Sequence, residues 1–167
     1  MRSIGVFSTI TLDLSELRGE YNCREIRKYT LACPFFSPAE RADDIAFPHP
    51  ARLPLGASWR GSCSASGHEQ AVLNQKELES CNLGYARSCP RLPKKRPYDS
   101  VRFGIAGDSG DHMAVQFVLE SQHRPAGHGI LHFDQLSKNW ISPHPDPLIQ
   151  KKAECFLKSY LERTNRP

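Results

Sequence analysis

The stretch MAVQFVLE, residues 113–120, decides the fold class. Met113, Val115, Phe117 and Leu119 fall on one face of an extended chain, and Ala114, Gln116 and Val118 fall on the other. That is the two-residue period of a half-buried strand. Upstream, Val101, Phe103 and Ile105 alternate with Arg102 and Gly104, and residues 107–111 supply Gly, Asp and Ser for a turn between the two strands. Downstream, residues 121–129 read as a turn, 130–134 as a third strand and 140–142 as a short fourth. The expectation is an antiparallel meander of three to four strands.

A meander needs one face covered, and the sequence supplies a helix for it. Asp146 and Pro147 form an N-cap and first-turn pair. Ile149, Ala153, Phe156, Leu157, Tyr160 and Leu161 then recur at spacings of three and four, with Lys151, Lys152, Glu154, Lys158 and Glu162 placed largely outside the stripe. The fold class is therefore α+β, with a C-terminal helix packed on the meander and supplying most of its core.

Before residue 98 the texture changes. Residues 29–97 hold eight of the chain's 13 prolines, and proline removes an amide donor and fixes φ, which argues against long helices and central strands there. This block reads as a proline-rich lobe with one helix, starting near residues 67–70 and ending at Gly84, with Val72, Leu73, Leu78 and Cys81 at roughly helical spacing. Residues 1–28 read as an N-terminal extension with at most a short helix over 14–29, weakened by Gly19. The domain plan is thus extension (1–28), cysteine-rich metal-binding lobe (29–97), and meander plus C-terminal helix (98–167), joined in one compact unit.

A chain of 167 residues with 24% charged side chains is long enough for a real core. The net charge of +4 is too mild to mark a nucleic-acid binder by itself. No run approaches the roughly 18 apolar residues of a membrane helix. Residues 4–12 only faintly resemble an export signal, because Ser8, Thr9 and Thr11 interrupt them and no small-x-small cleavage site follows. The expected location is cytoplasmic, with no membrane contact.

Six cysteines stand at positions 23, 33, 63, 81, 89 and 155. Disulfides fit poorly with a chain of this length that lacks an export signal. Burial as small hydrophobes suits Cys155, beside the helix stripe, and Cys23 in the extension. Cys33, Cys63, Cys81 and Cys89 instead fall in the proline-rich lobe, where little core is expected, and a metal centre would account for both their clustering and the ordering of that lobe. Their intervals of 30, 18 and 8 residues contain no Cys-x-x-Cys knuckle of the structural zinc type. Dispersed single thiolates suit a [4Fe-4S] cluster better, and Cys-Pro pairs of the kind found among such ligands occur at Cys33-Pro34 and Cys89-Pro90. Zinc is the alternative, with His68, five residues after Cys63, as reserve ligand. Pro34, Phe35, Phe36, Trp59 and Tyr85 would supply an apolar shell. The same two Cys-Pro pairs are too short to specify haem binding.

Arg87, Arg91, Lys94, Lys95 and Arg96 surround Cys89 and form the one candidate contact for an acidic protein or nucleic acid, against the plainer role of a solvated hinge. The glycines at 104, 107 and 110 fit no nucleotide loop, and no serine sits in a nucleophile elbow. The other six histidines carry no expected role. The sequence therefore points away from an enzyme and towards a metal-binding protein with a protein partner. Electron transfer or redox sensing leads, with a zinc-stabilised binding module or an accessory subunit as alternatives.

Overall fold

The computed structural model describes residues 31–84 and 89–164. The N-terminal extension, with its expected helix and Cys23, lies outside the described residues, as do Tyr85 and Arg87. Two antiparallel sheets and two helices make up the α+β fold. The first sheet has the order β1-β2-β3, with β1 Phe36–Arg41, β2 Trp59–Cys63 and β3 Ala71–Val72. Helix α1, Gln75–Leu83, follows it. The second sheet is the meander, β4 Ser100–Asp108, β5 His112–Ser121, β6 Arg124–Asp134 and β7 Asn139–Trp140, paired in sequence order. Helix α2, Pro147–Thr164, closes the chain.

The meander and α2 form as expected, with two corrections, the first being that the short fourth strand is Asn139–Trp140 and not 140–142. Residues 121–129 are not a long turn: Gln122 and His123, both at positive φ, make a tight hairpin, and β6 begins at Arg124. This strand lacks visible alternation because two of its inward positions are glycines. Gly129 faces Phe117 and Gly127 faces Leu119, and a Cβ on Gly129 would lie 2.7 Å from the Phe117 ring. The bulk missing from β6 is supplied by β5.

The lobe is also more ordered than its prolines suggest. It holds a three-stranded sheet, and Pro38 is accommodated because β1 is an edge strand that shifts register between Pro38 and Glu40. Helix α1 starts later than expected, at Gln75. Asn74 caps it, accepting from the Glu77 amide at 3.0 Å while the Glu77 carboxylate accepts from the Asn74 amide at 3.0 Å. Val72, expected on that helix, instead lies on β3 and is 89% exposed.

Nor is the lobe short of core. Phe36, Ala42, Leu55, Trp59 and Leu78 are buried in one apolar cluster with Val101, Val115, Leu131, Ile149 and Leu157. Helix α2 touches both sheets, meeting β1 on one side and β4 and β5 on the other. Its buried face includes two polar residues that the apolar stripe excluded, Lys152 and Ser159. Asp146 caps it as expected, accepting from Leu148 N at 2.8 Å and Ile149 N at 3.3 Å. The seam between the sheets is a two-way bridge, Ala32 N to Val101 O at 2.7 Å and Val101 N to Ala32 O at 3.1 Å.

Asn82 joins α1 to β2. Its buried amide accepts from Trp59 N at 2.7 Å and donates to Trp59 O and Leu78 O, each at 2.9 Å, acting as a strand partner where β3 does not reach. Asn82→Ala leaves both Trp59 backbone groups unpaired, and about 2–4 kcal/mol of stability is expected to be lost. Urea unfolding of the purified variant against the parent measures it.

Candidate metal centre

Each of the four singled-out cysteines is presented by a different local structure. Cys33 opens a turn closed by Phe36 N to Cys33 O at 3.3 Å, and Cys89 opens another closed by Leu92 N to Cys89 O at 3.2 Å. In both, proline occupies the second position, where its fixed φ favours the turn and holds the cysteine at the corner. Cys63 ends β2, across from Phe36 of β1. Cys81 lies in the last turn of α1.

Two contacts bring these pieces together. Gly84 ends α1 at φ 94° and sits so close to the chain at Leu31 that a Cβ there would lie 1.5 Å from Leu31 O. Only glycine permits that approach, which sets the end of α1 beside the Cys33 turn. Arg91 pairs with Glu77 at 2.8 Å, tying the Cys89 turn to the first turn of α1.

The result is a cavity of about 420 Å³ whose wall includes Cys33, Cys63, Cys81 and Cys89. Phe35, Phe36, Leu73 and Leu92 supply apolar lining, as expected for the two phenylalanines. Pro34 is buried beside the site, and Trp59 is buried in the core without lining the cavity. A larger groove of about 730 Å³ lies between α2 and the β6-β7 edge, but it is open, and none of the residues lining it is a cysteine or histidine.

All five described cysteines are free thiols. Cys33 and Cys63 are buried, Cys81 and Cys89 half-buried. Burial pushes the Cys33 thiol up, opposed by the backbone amides of Phe35 and Phe36 and by the charge of Lys152. Cys81 is pushed up to about 12, first by burial and then by the neighbouring Cys33, Cys89 and Cys63. Cys63 Sγ accepts from the Ala65 amide at 3.5 Å. Two of the four sulfurs thus already receive backbone amides, and those at Cys33 oppose its rise. Among the described residues, no three Cys, His, Asp or Glu side chains gather closely enough to hold one metal ion.

Lys152 was missed as a feature of this site. It is fully buried, and its Nζ donates to Pro34 O at 2.6 Å. Burial lowers its pKa to about 8, against the pull of Cys33, Asp146 and Cys155. Its place beside the helix stripe could have been suspected from Ile149, three residues before it, and Phe156, four after it. Cys155 is buried in α2, apart from the cavity.

His68 is exposed in a turn and does not line the cavity. Much of the basic run is committed internally. Arg91 pairs with Glu77, and Arg96 pairs with Asp99 at 2.6 Å and donates to Pro93 O at 2.8 Å. Lys94 and Lys95 are exposed. Among the other histidines, His144 is structural: it accepts from Asp146 N at 2.9 Å and meets Phe117 edge-on at 4.8 Å.

No family model, curated protein or solved structure matches this chain.

The geometry orders the thiols by reactivity. Alkylation requires an accessible thiolate, so iodoacetamide at pH 8 is expected to label Cys89 first, Cys81 more slowly, and Cys33, Cys63 and Cys155 only as the structure opens. Time-resolved peptide mass spectrometry checks the order.

Proposed function

We propose that the chain is a small metal-binding protein holding one [4Fe-4S] cluster on Cys33, Cys63, Cys81 and Cys89, for electron transfer or redox sensing. The observation that carries this is the convergence of these four thiols on one cavity from two turn corners, a strand end and a helix. A single zinc ion draws its sulfurs to about 2.3 Å from one point. The four thiols here stand around a space of about 420 Å³ without gathering on a point. A space of that size lined by four thiols has room for a ligand with several metal corners.

The lining supports the same choice. Buried or half-buried thiols with apolar neighbours are poor ligands while protonated, and a soft metal removes the proton in binding. The amides at Cys33 favour the charge that then remains, and hydrogen bonds to sulfur, such as that from the Ala65 amide to Cys63, help set a cluster's potential. Arg91, on the cavity wall, has a buried Nη1 with no partner among the described residues, a donor suited to an anionic occupant.

A protein partner fits the cavity's outer side. Leu83 lines it and is 59% exposed, and Lys76 lies on the same wall. An apolar contact bordered by lysine suits a partner with an acidic docking face.

Anaerobic purification with iron and sulfide is expected to give brown protein with broad visible absorption and four iron and four sulfide per chain by analysis. Each of Cys33→Ser, Cys63→Ser, Cys81→Ser and Cys89→Ser is expected to lower the bound iron by more than half, and Cys155→Ser to leave it unchanged. Colourless protein with one zinc per chain would overturn the cluster in favour of a zinc-stabilised module.

A further inference from the structure

Lys152 is the most costly side chain in the interior. It has no exposure, one hydrogen bond to a backbone carbonyl, and no carboxylate partner among the described ion pairs. An ammonium in such a place needs an anion nearby. Three groups act on its charge. Asp146 is engaged as the cap of α2 and accepts from Tyr98 Oη at 3.3 Å, and Cys155 sits on its own helix. The third is Cys33, whose turn carries the carbonyl that Lys152 holds.

We propose that Lys152 is the countercharge of the thiolate centre, fixed behind its Cys33 corner. This rests on the cluster proposed above. Four thiolates and a cluster carry net negative charge, and it grows by one unit when the centre accepts an electron from a low-potential donor. In that step one electron enters, no bond is made or broken, and no proton moves. A fixed positive charge behind one corner favours the reduced form and raises the potential. Lys152 is thus a positioning residue with an electrostatic role, since it acts through the ligand and not on an occupant directly.

The experiment compares Lys152→Met, of similar length and uncharged, with Lys158→Met on the same helix, whose ammonium lies over the Trp59 ring at 5.8 Å. Each reconstituted protein is poised with dithionite and viologen dyes under argon, and the reduced fraction is read from its electron-spin-resonance signal. In Lys152→Met the ratio of reduced to oxidised cluster at a fixed poise is expected to fall about tenfold, equivalent to about 59 mV for one electron. Lys158→Met is expected to match the parent. Without the cluster, Lys152→Met is expected to resist urea better than the parent, because an uncompensated charge has been removed.

A fully loaded Lys152→Met with the parent's reduced fraction would overturn the countercharge while leaving the cluster standing. An equal shift in Lys158→Met, or a Lys152→Met chain less stable than the cluster-free parent, would overturn it as well. A parent chain that takes up no cluster would remove the proposed function first and the countercharge with it.

Discussion

The two hydrogen bonds between Ala32 and Val101 are the constraint on which the rest of the structure depends. They join the cysteine lobe to the outer strand of the meander, and they place Cys33, the next residue, at a corner where both sheets and α2 meet. From there the dependencies run outward. The Cys33 turn leads into β1, β1 pairs with β2, and β2 is held on its other side by Asn82 of α1. Helix α1 then returns through Gly84 to the chain at Leu31. The four thiols share a cavity because this circuit closes, and α2 underlies it by packing against both β1 and β4.

What was legible in the sequence followed from local chemistry. Asp146 and Pro147 marked the start of α2, and the alternation through Phe103 and Phe117 marked two strands, because cap and pleat both act within a few residues. The lobe's sheet was hidden for a different reason. Pro38 speaks against a strand only in a sheet's interior, and whether a strand is interior is decided by partners far along the chain. β6 was underread because Gly127 and Gly129 leave their inward space to Leu119 and Phe117. The cysteine set was chosen by its place in the proline-rich block, where little core was expected. Cys33 and Cys63 in fact lie buried, so the same four residues came together for a reason other than the one first given.

At the cavity two physical tendencies oppose each other. Burial keeps thiols protonated, which is why Cys33 and Cys81 are pushed up. The Phe35 and Phe36 amides and the Lys152 ammonium favour the charged form of Cys33. With every thiol protonated, these polar groups surround a site without the anions they suit, and the buried lysine is stranded. Thiolates sharing the proposed positive centre would relieve that tension.

The spacing of the four thiols along the chain has a further effect on how the lobe would fold. Cys33 and Cys89 bracket both β1-β3 and α1, so a group bound to all four would cross-link nearly the entire lobe at several points. Joining distant positions removes chain entropy from the unfolded ensemble, and the gain grows with the logarithm of the enclosed length. Short knuckles, which close loops of only a few residues, gain less. The dispersed pattern would therefore make the proposed cluster a set of nested staples, whose loss frees long loops at once and couples release of the metal to opening of the whole lobe.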